Sequence, residues 1–375
     1  MAKEQLKEIP LFTVFMSADV DKPLLDVLHS GYIGQGPKVD ELEKYLANLF
    51  GFKNILTLNS GTSALHLALR LAGVKPGDEV ISTPMTCTAT NMPILANGGK
   101  IVWADVDPHS GLIDPLDVER KITKKTKAIM CVDWGGLPCH LDELMRIGSK
   151  YGLKVIEDSA HALGATYKGR KVGTVADFTC FSLQAIKHIT SVDGGLLFMK
   201  DTQDYKNGKL LRWYGIDRES DRKDFRCEEN ILDWGYKFHM NDINATIALH
   251  QFPHLDRIIG AHRANADFFH KQLPDEFDWQ TVSYHCESSY WLFTIMLKNK
   301  ETRLNYMKFM KSQGISVSQV HSRNDTHTVF KDSQCILPGV EEFYDCMVCI
   351  PVHSGLTQYD LNRIVNASQD FVKVK

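Results

Sequence analysis

The 375-residue sequence predicts an α/β architecture: a mostly parallel central sheet with helices on both faces, plus a smaller C-terminal α+β unit. Two observations carry this. Between residues 55 and 200, short apolar runs alternate with helix-length amphipathic segments, and such a succession calls for a sheet buried on both faces. From about residue 235 the order changes to long helical patterns followed by separate strands. The expected division is a large unit over 1–250 and a smaller one over 251–375, joined through helix rather than through a flexible tether.

Residues 20 to 50 read as a leading helix, a glycine-rich turn SGYIGQGPK and the helix VDELEKYLANLFG. DEVISTP, KIVWADVD, TKAIMCVDW, LKVIEDSA, DFTCFSL and GGLLFMK each hold a short apolar run of strand length. TSALHLALRLAG is one intervening helix. LDELMRIGSKYG is another, with Leu141, Leu144, Met145 and Ile147 on one stripe and Gly152 as its C-cap. MNDINATIALHQFPHLDRIIGAHRANADFFHKQL is helical with an interruption near Pro253. SYWLFTIML and ISVSQV then read as strands, and ETRLNYMKFMKSQG and TQYDLNRIVNASQDFVK as helices.

Bulk composition excludes several classes. A net charge of −3 and a pI near 6.6 leave no basic footprint for nucleic acid. No run approaches the ~20 apolar residues of a membrane span. MAKEQLKEIPLFTVF lacks the apolar core and cleavage site of a signal peptide, so a soluble cytoplasmic protein is expected. The nine cysteines show no framework, and Cys131, Cys180, Cys346 and Cys349 sit in apolar runs, as buried reduced thiols do. Cys346 and Cys349 form a C-x-x-C, but a metal would need a second ligand pair and a redox motif a helix start. Read as a strand, the segment throws the two thiols onto opposite faces, so no metal site is expected.

Three stretches can carry chemistry. In NSGTSALHLAL, Asn59 and Ser60 can cap, Gly61 permits close backbone approach, and Thr62 and Ser63 open a helix. Free N–H groups with two hydroxyls suit a phosphate, although an ordinary capped helix has the same sequence. The Lys-Ser/Thr pair of a nucleotide loop is absent, as is a G-x-G-x-x-G after a strand. In LKVIEDSAHALGA, an apolar strand ends in Glu157 and Asp158, at the edge where open α/β sheets bind ligands. A carboxylate there can face a protonated ring nitrogen or cap a helix, and His161 can pack on the same ligand or serve the structure. In CFSLQAIKHITSVDGGLLF, Lys187 follows Ser182 and Gln184 within an apolar region. Burial lowers a lysine pKa and makes the amine a nucleophile for carbonyls; out of context, a snorkelling surface lysine is the ordinary reading. The combination decides. A phosphate cradle, an acid for a ring nitrogen and a reactive amine are what pyridoxal phosphate requires.

The spacing NSGTSALHLAL … EDSAHALGA … FSLQAIKHITSVDGG resembles the nucleotide-sugar aminotransferases of the DegT/StrS group, PLP-dependent enzymes of fold type I, the aspartate-aminotransferase fold. SGYIGQGPKVDELEKYLANLFG, KPGDEVISTPMTCTATNMPI, VDWGGLPCHLDEL and GYKFHMNDINATIAL match too, so the resemblance covers roughly residues 10 to 265 well and the remainder weakly. It implies that Lys187 holds the cofactor aldehyde and Asp158 its pyridinium. Thr62, Ser63 and Ser182, with Gly61, would hold the phosphate, and His161 and Gln184 would lie against the ring and its hydroxyl. Two positions depart from the pattern. Many members have an aromatic residue where this chain has Cys87, so the ring stack is either absent or supplied elsewhere. Many have, in place of Lys237, an Asn that reaches the phosphate across a dimer.

The resemblance further implies ping-pong amino transfer from L-glutamate to a nucleotide-linked keto-deoxy sugar, a 4-keto-6-deoxyhexose first, with amination at C3 the alternative to C4. The product would be an amino sugar for glycan or O-antigen (lipopolysaccharide) biosynthesis, made by a homodimer that donates GYKFHM across its interface. His188, Arg212, His321 and His327 are candidates for the substrate side. Arg212 and Arg323 could alternatively clamp the α-carboxylate of an amino-acid substrate. One rival is a related sugar dehydratase, of which one type carries His where Lys187 stands. Another is a non-catalytic regulator of the same fold, which could have lost the lysine or the acid.

Overall fold

The computed structural model describes residues 7–220, 230–281 and 285–373. Helices α1 (Asp21–Leu28) and α2 (Pro37–Phe50) lead the chain. In α2, Val39, Leu42, Leu46 and Phe50 make the buried stripe, and Pro37 sits at the first turn, where its missing N–H costs nothing. The cap comes from far along the chain: the Asp242 carboxylate accepts from the N–H groups of Gly36 (2.8 Å), Lys38 (3.2 Å) and Val39 (3.2 Å).

Strands and helices then alternate: β1 (Ile55–Leu58), α3 (Gly61–Leu71), β2 (Glu79–Ser82), α4 (Thr88–Ala96), β3 (Lys100–Trp103), α5 (Pro115–Lys121), β4 (Thr126–Val132), α6 (Leu141–Tyr151) and β5 (Lys154–Asp158). The short β6 (Thr166–Tyr167) and β7 (Arg170–Lys171) intervene before β8 (Phe178–Ser182), β9 (Gly195–Met199) and α7 (Thr202–Leu211). The seven-stranded sheet has the order β1-β9-β8-β5-β4-β2-β3. Only β9 runs against the rest, pairing antiparallel with both β1 and β8. The C-terminal ends of β1, β2, β5 and β8 therefore share one edge, and with them Gly61, the Thr83–Cys87 turn, Asp158 and Ser182.

The rest of the chain holds α8 (Asp242–Gln251), α9 (Leu255–Gln272), β10 (Asp278–Trp279), β11 (Cys286–Glu287), β12 (Phe293–Met296), α10 (Lys300–Ser312), α11 (Pro338–Cys346), β13 (Met347–Ile350) and α12 (Gln358–Lys373). A short 3₁₀ turn at Phe252–His254, containing Pro253, separates α8 from α9. β10, β12 and β13 form an antiparallel sheet whose core includes Phe269, Phe293, Tyr306, Ile350 and Phe371. Among the described residues no helix is long and apolar enough to cross a membrane.

Three segments differ from the sequence expectation. Of SYWLFTIML, only Phe293–Met296 is strand. Ser289 and Leu292 donate their N–H groups to Gly136 and Gly135 instead, and Tyr290 takes a left-handed φ of 47°, so residues 288–292 form a strap across the large sheet. ISVSQV makes only isolated bridges, Ile315 to Ile9 and Ser318 to Cys349, and so does not extend either sheet as a strand. Cys346 ends α11 and Cys349 lies in β13, so the C-x-x-C straddles a helix end rather than sitting on one strand.

Alternation along β5 sends Glu157 to the face opposite Asp158. Glu157 is fully buried beside the equally buried Asp133. The Asp133 carboxylate accepts from Ser159 Oγ (2.7 Å) and the Cys139 N–H (2.9 Å), and burial pushes it up to about 6. Glu157 accepts from Thr179 Oγ1 at 2.7 Å; burial first and the Asp133 charge second raise its pKa well above the usual range. The folded chain thus keeps a proton on Glu157 that the unfolded chain releases above about pH 4.3. Stability falls as pH rises through that window, by about 1.4 kcal/mol per pH unit for one proton. Glu157→Gln is expected to flatten this slope, leaving the variant less sensitive than wild type as pH rises above about 4.3. Urea titrations across that range test it, and an unchanged slope would place the proton elsewhere.

Candidate active site

A cavity of about 310 Å³ opens at the sheet edge where β1, β5 and β8 end. Its floor is built by close backbone approach. A Cβ on Gly195 would stand 2.1 Å from the Ser60 carbonyl oxygen, and one on Gly61 would stand 3.0 Å from Ser182 Cβ. Only glycine lets β9 and β8 press against the start of α3 in this way. Ser60 caps α3 by accepting from the Ser63 N–H at 3.0 Å, which leaves the Gly61 and Thr62 end of the helix facing the cavity with its positive dipole end. Ser182 lines the same place, its Oγ accepting from the Gln184 N–H at 3.3 Å.

Asp158, at the tip of β5, lines the cavity while only 5% exposed. Its Oδ2 accepts from Thr90 Oγ1 at 2.6 Å and its Oδ1 from the Ala160 N–H at 3.1 Å. Thr90 is itself joined to Thr86 through their hydroxyls at 2.7 Å. Burial raises the Asp158 pKa; the two hydrogen bonds and the Lys187 charge oppose that rise. The result is a carboxylate held still in a dry place, where its charge acts at low dielectric.

Lys187 follows β8 on a loop, and part of its surface is open to the cavity. The groups packed around it desolvate the ammonium and lower its pKa to about 7, against the opposing pull of Asp158 and Cys87. A free amine here is therefore substantially neutral at neutral pH, as a nucleophile or proton carrier must be. Its Nζ stands 3.6 Å from the centroid of the Trp291 ring. His161 stacks on Trp291 with centroids 3.8 Å apart. Burial and the Lys187 charge hold the His161 pKa well below the usual range, and burial takes that of His321 to about 4. Both imidazoles are neutral, and His161 Nδ1 and His321 Nε2 are buried without a hydrogen-bond partner.

Of the residues singled out in the sequence as candidates for the cofactor or substrate, Gly61, Thr62, Cys87, Asp158, His161, Ser182, Gln184, Lys187 and His321 line this one cavity. The others lie outside its lining. Ser63 is buried behind the helix end, its hydroxyl accepting from Ser60 Oγ at 2.9 Å. His188 points into the protein, where its Nε2 meets the Ser289 carbonyl oxygen at 3.0 Å. Arg212 is buried against Glu43 and the Thr57 carbonyl oxygen, at the edge of a different cavity. Arg323 is paired with Asp325 at 2.7 Å, so neither arginine presents a clamp here. His327 packs in the turn after Asn324. Lys237 is exposed, with its carbonyl oxygen accepting from Asn59 Nδ2 at 3.3 Å.

Sequence reasoning misses Trp291, Thr86 and Thr90. Thr86 lies just before α4 and Thr90 in its first turn, four residues on, a hydroxyl pair that the spacing in MTCTAT does signal. Nothing in SSYWLF marks Trp291, because its site role depends on the strap's course across the sheet.

A model of the DegT/DnrJ/EryC1/StrS aminotransferase family matches residues 16–369. Among solved structures, AtS13 from Actinomadura melliaura is 38% identical, covering 98% of this chain and 100% of its own, with a TM-score of 0.93. The sugar aminotransferase CalS13 from Micromonospora echinospora is 36% identical, covering 96% and 99%, with a TM-score of 0.92. The putative sugar aminotransferase Spr1654 from Streptococcus pneumoniae, in its PLP form, is 27% identical, covering 98% and 100%, with a TM-score of 0.89.

Proposed function

The chain belongs to the DegT/DnrJ/EryC1/StrS aminotransferase family, PLP-dependent enzymes of fold type I that aminate sugars, and on that premise we propose that it transfers an amino group from L-glutamate to a nucleotide-linked 4-keto-6-deoxy sugar. The product is an amino sugar for glycan assembly. The observation that carries the reading is one cavity walled at once by a desolvated lysine, a desolvated carboxylate and an open helix N-terminus. These groups fit pyridoxal phosphate. The start of α3 with Thr62 and Ser182 would take the phosphate, Asp158 the ring nitrogen and Lys187 the aldehyde. The cofactor, when bound, supplies an electron sink and carries nitrogen between donor and acceptor.

The chain's own groups do the rest. Lys187 carries the proton to and from the substrate carbon, and its lowered pKa lets it act in both directions near neutrality. Asp158 keeps a negative charge at the ring nitrogen, fixed by Thr90 and the Ala160 N–H. His161 and His321, both neutral, line the cavity beside Lys187. The exposed Lys237 is free to reach a second copy, which supports a homodimer with GYKFHM donated across the interface.

The test is a panel of nucleotide keto-sugars incubated with glutamate, the product solved by NMR and the enzyme's mass followed by sedimentation. A 4-amino-6-deoxy sugar formed with 2-oxoglutarate by a dimer is expected. A product that has lost oxygen without gaining nitrogen would make the protein a dehydratase, and a fully active monomer would remove the shared site.

A further inference from the structure

Trp291 is 3% exposed and is fixed from every side. Phe12 stacks on it with centroids 4.9 Å apart and His161 at 3.8 Å, and its indole Nε1 donates to the Ile186 carbonyl oxygen at 2.9 Å. That carbonyl belongs to the residue preceding Lys187. The strap carrying Trp291 is pinned to the same loop and to the cavity wall. Ser289 Oγ donates to the His161 carbonyl oxygen at 2.8 Å, and His188 Nε2 meets the Ser289 carbonyl oxygen at 3.0 Å. The ring is thus a rigid surface held relative to the lysine's own backbone, and Lys187 Nζ lies 3.6 Å over it.

We propose that Trp291 is a positioning residue for Lys187: its ring face receives the lysine amine whenever that amine is not bonded to the cofactor. The inference rests on the proposed function, since only there is Lys187 alternately bonded and free. An ammonium over the negative face of an indole is favoured where water is excluded, and a neutral amine gains far less. The face therefore adds to Asp158 and Cys87 in favouring the charged amine, against burial. During turnover the released amine would have one defined resting place, from which it returns to the reacting carbon without searching rotamers.

The experiment uses the full-length chain loaded with pyridoxamine phosphate, in which Lys187 is free. The rate of Lys187 acylation by an amine-selective reagent, located by peptide mass mapping, is followed against pH for wild type, Trp291→Phe and Trp291→Leu. Removing the ring is expected to move the Leu variant's midpoint to lower pH by about 0.4–1.5 units. Phe keeps a ring face but not the N–H, and its midpoint is expected to fall between the other two. An unmoved midpoint in the Leu variant, or equal shifts in both variants, overturns the inference, the latter because it would assign the effect to the bond to Ile186. Melting curves confirm that the variants fold, and the Phe variant, close in shape, keeps the comparison alive if Leu does not. Borohydride fixation of the pyridoxal-loaded wild type separates two failures. Label absent from Lys187 removes the proposed function; label on Lys187 with an unmoved midpoint removes only the role of Trp291.

Discussion

Lys187→Ala is expected to abolish the borohydride-fixable cofactor linkage and to cut amino transfer by at least about 10²–10⁴-fold, the range a positioned acid–base group contributes. Among the described residues of one chain, Lys187 is the only lysine that lines the cavity. The cofactor should still bind through its phosphate, because the α3 N-terminus, Thr62 and Ser182 are untouched. Stability should not fall, since a cation that burial already disfavours is being removed. Lys187→Arg sharpens the test: it restores positive charge but cannot give up its proton near neutrality. It should be as inactive as the alanine variant if proton transfer matters. Turnover by Lys187→Ala at the wild-type rate, followed by 2-oxoglutarate release, would end the assignment.

The second large effect is at Asp158. Asp158→Asn keeps the shape, and its amide oxygen can still accept from Thr90, but the negative charge is lost. Removing one preorganised electrostatic group from a dry site costs about 10²–10³-fold in rate, and that loss is expected here in kcat, with the Lys187 linkage still forming. The split between linkage and turnover distinguishes Asp158 from Lys187. The same logic gives a pH dependence. Because the Asp158 pKa is raised, its charge is lost as pH falls through that raised value, earlier than for an exposed aspartate. Wild-type activity should therefore show an acid limb that Asp158→Asn lacks. Pre-steady-state absorbance of the bound cofactor across pH provides the measurement, and a variant with the same limb would assign that limb to another group.

Much of this site is legible in the amino-acid order alone. The α3 opening, the acid at the end of β5 and the lysine after β8 are each set by contiguous residues: a cap, an apolar strand and a loop. Their convergence follows from strand–helix–strand succession, which forces the C-terminal ends of parallel strands to one edge. The substrate-side residues are harder. His188 and Lys187 are adjacent in sequence, yet their side chains part: one lines the cavity and the other is spent on the Ser289 carbonyl oxygen. Arg212 has the chemistry of a clamp, but Glu43, far back in α2, occupies it.

The fold class, the large sheet's strands and the three motifs are local properties of the chain, because helix and strand periodicity, caps and close-approach glycines act over a few neighbouring residues. Which polar side chains remain unpaired, and so able to serve a ligand, is a property of the folded molecule. Whether His321 is free, whether Thr90 holds Asp158 and whether Trp291 underlies Lys187 depend on partners far apart along the chain. The physical reason is that a buried polar group or ring must find its partner in space, and which residue stands there is set by packing rather than by local pattern.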